Sequence, residues 1–257
     1  MGSLGYPELL LIVVVLLLLF GGSWLARVGR LAGERAKRKV LETDWLWKSA
    51  TGTEQEAWKA ERAFGEEWAK EINEQYKDPA PNSKQAVVDQ LGSKLCQQQN
   101  LPCPFSYRVI RAQQVNAFAL PGGFVYLCEP LFDALSEEPD AIAFILAHET
   151  AHILLGHPRE RLFREWSLRR AQPGTAVIAG LLKTLLAQGY SQEAELEADK
   201  GAVSLMAAAG FHSAGASRVL TLLGDIGPAG LGPLEYLSSH PPAEVRLKNL
   251  QSADPAC

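Results

Sequence analysis

The 257-residue chain is short of the residues that would mark several common protein classes. Its four cysteines contain no CxxC pair, so neither a disulfide framework nor a cysteine zinc ribbon is written into it, and four free thiols account for them. Cys96 and Cys103 are nonetheless close enough to close a small disulfide loop, which would imply an oxidising compartment; Cys128 and Cys257 are too far apart in sequence to judge. Basic residues are not in excess: 25 Lys and Arg stand against 29 Asp and Glu, and a net charge of −4 leaves no electrostatic footprint for nucleic acid. Repeats and low-complexity blocks are absent. No Lys or Arg precedes Arg27, which removes the basic start of a cleavable secretion signal.

Histidine is also sparse, at five residues, yet two of the five stand together in His148-Glu149-Thr150-Ala151-His152, an HExxH pattern. On a helix, positions four apart share a face with Cβ atoms about 5–6 Å apart. Both imidazoles can then reach one zinc ion, and the intervening Glu149 can act as general base. The surroundings favour helix: Ser136 is an expected N-cap, Glu137 and Glu138 suit a first turn, and Pro139 starts it. Ile142 to Leu155 is dominated by Ala, Ile, Leu and Phe, with Gly156 and Pro158 expected to end the element. Two histidines and a glutamate in so apolar a helix are costly to bury unless something satisfies them. Zinc would do so; ordinary hydrogen bonds in a core are the alternative.

A catalytic zinc normally has three protein ligands and one open position. The pattern HExxHxxGxxH fails, because Leu155 and Pro158 stand where its glycine and third histidine would be, and His157 comes one residue early. A later acidic segment, Gln192 to Asp199, offers another solution on an Ala-rich helix running to about Ala209. Glu195 and Asp199 are four apart and share a face, whereas Glu193 and Glu197 point elsewhere. Glu195 is the expected third ligand and Asp199 the residue that orients a ligand histidine; for any one acid in this run a solvated face is the alternative.

HExxH followed some 40 residues later by Glu195 to Asp199 as ExxAD resembles the HtpX-like and CAAX-prenyl-protease-type zinc metalloendopeptidases of the gluzincin group. Two flanking blocks extend the resemblance over roughly Gln85 to Leu250: Val115 to Tyr126, similar to that family's NAfalPgG segment, and Ser239-His240-Pro241-Pro242 with Arg246, similar to its SHPxxxxR segment. The resemblance implies a zincin-like domain with one zinc ion held by His148, His152 and Glu195. It also places His240 near the cleft, to stabilise a developing oxyanion or to occupy the open zinc position and hold the enzyme inactive. Residues 107–112 and 124–127 are β-rich with Pro121-Gly122-Gly123 as a turn. Asn116, Ala117 and Phe118 form the expected substrate strand, Asn116 setting its edge geometry, where an extended polypeptide could add as a further strand. A plain structural hairpin is the alternative there. His157 reads as a helix-end residue and His212 as a surface loop residue.

Leu9 to Ala26 is eighteen uncharged residues, at the short end for a transmembrane helix of about 20. With Arg27, Arg30, Arg35, Lys37, Arg38 and Lys39 after it, the positive-inside rule puts the catalytic part in the cytoplasm. The thiol pair at 96 and 103 would argue the other side. Pro7 to Ile12, Leu19 to Gly22 and the amphipathic Leu25 to Ala36 resemble the start of TatA-type translocase subunits, without the lysine and proline usual after the glycine pair. The expected organisation is an anchor at 1–26, a basic juxtamembrane and amphipathic helical linker at 27–83 closed by Asp78 to Ser83, and a zinc metallopeptidase domain at 84–257. Trp45 and Trp47 suit either a membrane interface or packing. Thr175 to Gln188 is too short to span a bilayer and reads as a core helix or a lid over the cleft. The expected fold class is α+β, mainly helical, with a small β-sheet beside the HExxH helix. The expected function is hydrolysis of extended, misfolded or membrane-associated polypeptides, with lipid contact through residues 9–26 and no nucleic-acid partner. A zinc-stabilised binding or holdase module and a translocation-associated factor are the rivals; structural zinc would leave Glu149 without a task.

Overall fold

The computed structural model describes residues 32–34, 36–37, 39–97, 105–170, 189–225 and 243–253. The anchor expected at 1–26, Cys103, Cys257, the segment 175–188 and the Ser239-His240-Pro241-Pro242 block lie outside the described residues. Among the described residues no helix is long and apolar enough to cross a membrane.

Among the described residues the architecture is mainly helical with one three-stranded sheet. A helix α1 over 39–51 is followed by α2 (Glu54–Gln75) and α3 (Asn82–Gln97). Thr53 and Glu56 form a reciprocal capping box that starts α2. The strands are β1 (Ser106–Ile110), β2 (Ala117–Leu120) and β3 (Phe124–Cys128). Central β3 runs parallel to β1, with Ser106 opposite Phe124, and antiparallel to β2, with Leu120 opposite Phe124. Gly122 and Gly123 turn β2 into β3 at φ +79 and +94, backbone that glycine adopts at little steric cost.

Side chains alternate across a strand, and here the two faces bury against different helices. Tyr107, Val109, Ala117, Ala119, Val125 and Leu127 enter the core with α3 and the later helices. Ile110, Leu120, Phe124, Tyr126 and Cys128 enter a second core with Trp45, Phe64, Trp68 and Ile72 from α1 and α2. Residue 83, where the boundary was expected, lies in the first turn of α3, and α2 lies packed on the sheet. Trp45 is buried and stacked on Phe64 at 5.2 Å, whereas Trp47 is 69% exposed.

After the sheet come α4 (Glu129–Ala134), α5 (Pro139–Leu154), α6 (His157–Arg170), α7 (Gln192–Ala208), α8 (Ala214–Asp225) and α9 (Ala243–Ala253). Two local expectations change. Ser136 does not cap α5: its hydroxyl donates to the Asp133 carbonyl at the end of α4, and Glu138 takes the cap position with no side-chain cap bond. Pro158 does not act as the stop for α5; it sits in the first turn of α6, where its missing N–H has no helical partner to lose. Gly156 at φ +79 makes the break alone, its N–H donating to the Ile153 carbonyl.

Candidate metal and catalytic site

The HExxH helix α5 is buried from Ala141 to Ile153, which is why its apolar run has no polar face outside the motif. Thr150 anchors it to the sheet through a 2.9 Å hydrogen bond with the Tyr107 hydroxyl. Helix α7, capped by Ser191 accepting from Ala194 N–H, packs along it through small residues. Ala147 and Ala151 of α5 and Ala198 and Ala202 of α7 are all in the core. A Cβ on Gly201 would stand 2.9 Å from the Ala151 Cβ. This close approach carries Glu195 and Asp199 to the histidines.

The three expected ligands do converge. His148, His152 and Glu195 are each fully buried, and each offers a ligand atom within 4.8 Å of the others. The two Nε2 atoms are 3.0 Å apart, and the Glu195 oxygens lie 3.4 Å from each of them. Ligands at about 2.0–2.1 Å from a tetrahedral zinc would be about 3.3 Å from one another. The donor set and its spacing therefore fit such an ion.

Asp199 Oδ1 sits 3.0 Å from His148 Nδ1, the ring nitrogen facing away from that centre. A proton held there by the carboxylate leaves the Nε2 lone pair for a metal. Arg246 from α9 donates from Nε and Nη2 to Asp199 at 2.8 and 2.6 Å and lies 3.5 Å from Glu195. Burial raises the Asp199 carboxyl, but hydrogen bonds from Arg246 and His148 outweigh it and hold the group well below the usual range. For His148, burial and Arg246 push downward, and Asp199 and Glu195 together lift it to about 9. Glu149, buried beside the cluster, is lifted by burial to about 7, with His148 opposing and Glu195 adding to the rise.

Sequence reasoning missed several neighbours. Buried His157, expected only as a helix-end residue, places its Nδ1 2.8 Å from His152 Nδ1 and its Nε2 3.4 Å from Glu197. Tyr190 stacks on the His152 ring at 4.2 Å between centroids, and the Arg161 guanidinium lies 5.1 Å from the Tyr190 ring. Burial keeps the Tyr190 phenol protonated well above its ordinary value. Gly156 was the available signal for His157, since a helix-ending glycine turns the next residue back beneath the last turn. Nothing local marks Tyr190. Asn116 is buried at the start of β2, where its Oδ1 accepts from Ala117 N–H at 2.9 Å. Ala117 is buried and Phe118 half-buried, stacked on Tyr126 at 5.1 Å. His212 is exposed and apart from the site, as expected, its backbone N–H donating to Asp140.

Residues 82–254 match the model of peptidase family M48. The chain belongs to this family. M48 members are metal-dependent proteases, and the resemblance read from the motifs to HtpX-like enzymes is supported. Similar proteins include the mitochondrial metalloendopeptidase OMA1 of Saccharomyces cerevisiae, 30% identical over 146 residues, 52% of this chain and 42% of that protein. The beta-barrel assembly-enhancing protease of Yersinia pestis is 29% identical over 185 residues, 64% of this chain and 38% of that protein. The M48 chain thus spans about two fifths of the length of these curated relatives.

Proposed function

We propose that this M48 chain is a zinc-dependent endopeptidase in which His148, His152 and Glu195 hold one zinc ion and Glu149 moves the proton. The observation that carries this reading is the convergence of two Nε2 atoms and a carboxylate at 3.0–3.4 Å, with the Glu149 carboxyl buried alongside. Zinc bound there would polarise the scissile carbonyl and lower the pKa of water toward about 7. Glu149, lifted by burial to about 7, is poised both to take a proton from the attacking water and to return it to the leaving nitrogen. Asp199 and Arg246 keep the His148 ring turned with Nε2 toward the centre. His240, outside the described residues, is the candidate for stabilising the oxyanion.

Among the described residues β2 is an edge strand, paired with β3 on one side only, and it packs against α5. An extended polypeptide adding alongside Asn116, Ala117 and Phe118 would run past the histidines. Asn116 Oδ1, by accepting from Ala117 N–H, fixes the start of that edge. Residues 84–257 carry the chemistry in this reading, 27–83 link them to an anchor at 1–26, and the site faces the cytoplasm. Misfolded or membrane-associated polypeptides are the proposed substrates.

Zinc content and casein cleavage, measured side by side for wild type and Glu149→Gln, test the proposal. One zinc per chain in both and cleavage only by wild type are expected. Cleavage by the variant at the wild-type rate sinks the role of Glu149, and a zinc-loaded wild type that does not cleave points to a binding module.

A further inference from the structure

The ring contact beneath His152 has a direction built into it. Resting on the metal site proposed above, we infer that His157 is a positioning residue that sets the proton of His152. The two Nδ1 atoms are 2.8 Å apart, so one must carry hydrogen and the other a lone pair. If His152 offers its Nε2 lone pair to a metal, its proton sits on Nδ1 and is donated to His157. His157 then holds its own proton on Nε2, which faces Glu197 at 3.4 Å. His148 and His152 thus receive the same service by different means: a buried carboxylate, Asp199, for one, and a buried imidazole backed by an exposed carboxylate, Glu197, for the other.

Three features hold the arrangement. The positive φ of Gly156 reverses the chain so that the first residue of α6 lies under the last turn of α5. His157 is 7% exposed, so water is largely kept from competing for the contact. Tyr190 stacks on the His152 ring, limiting its rotation. Partners of this kind tune affinity by about 10–100-fold when removed from metal sites.

The test uses the full chain in a Glu149→Gln background, which prevents self-digestion. His157→Leu removes the acceptor, whereas His157→Asn keeps an acceptor oxygen at the δ position. Zinc affinity is read by competition with a chelator, and ligand geometry by the visible spectrum of the cobalt-substituted protein. Loss of about 10–100-fold in affinity with an altered cobalt spectrum is expected for His157→Leu, and substantial recovery of both for His157→Asn. Histidine 15N spectra of the zinc-loaded protein should show His157 protonated at Nε2 and bare at Nδ1. Unchanged affinity in His157→Leu overturns the inference, as does an asparagine variant no better than leucine or a His157 proton on Nδ1. Failure of the parent chain itself to bind zinc would instead overturn the metal site, and this role with it.

Discussion

Replacing Glu61 by glutamine will stabilise the protein above neutral pH and change little near pH 5. Glu61 sits on α2, 1% exposed, where it accepts from the Gly122 N–H and lies 3.8 Å from Arg159 of α6. Burial raises its carboxyl from 4.5 to about 7, against the pull of Arg159 and the Gly122 bond. The folded state therefore holds the proton more tightly than the unfolded chain. Below pH 4.5 both states are protonated and the group carries no penalty. Between 4.5 and 7 the unfolded chain ionises first, and stability falls as pH rises; above 7 the loss levels off. A rise of this size corresponds to about 3 kcal/mol. Glutamine keeps the shape and an acceptor for Gly122 but never ionises. Denaturant unfolding of wild type and Glu61→Gln from pH 5 to 8, both zinc-saturated, should show a difference that grows with pH toward about 3 kcal/mol in favour of the variant. A difference that is flat in pH, or a wild type favoured at pH 8, would refute the reasoning.

Two other changes test the scaffold of the site. Arg246→Met leaves Asp199 and Glu195 buried without their cation, and should lower stability by about 3–5 kcal/mol, read as a shift in the denaturant midpoint. Gly201→Ala forces a methyl against Ala151 across the α5–α7 seam, costing about 1–3 kcal/mol and weakening zinc binding by moving Glu195. Ala151→Gly in the same chain should restore much of both, measured by unfolding and chelator competition.

The site was legible because its signals are local and periodic. HExxH on one helix face and Glu195 with Asp199 on another need only the 3.6-residue repeat to be read, and β-rich runs around a Pro-Gly-Gly turn need only the repeat of two. What escaped depends on contacts between distant segments. Arg246 was noted as part of a pattern, but its insertion between Asp199 and Glu195 is a consequence of α9 packing on α7 and α8. Ser136 has the chemistry of a cap, yet the Asp133 carbonyl at the end of α4 competed for its hydroxyl. Polar Glu-rich α2 reads as an amphipathic linker, and what its Phe64, Trp68 and Ile72 stripe packs on appears only once the sheet is in place.

That stripe bears on where the protein can be cut. The family match begins at residue 82, which invites a recombinant fragment starting there. Such a fragment would lose α2 and expose Ile110, Leu120, Phe124 and Tyr126 to water. It would also lose Arg62, whose guanidinium donates to the Gly122 carbonyl at 2.7 Å and lies 3.9 Å from the Phe124 ring, holding the β2–β3 hairpin from behind. A fragment that keeps this face of the sheet covered begins before α1, so that Trp45 stays stacked on Phe64 and α2 keeps both its cap and its grip.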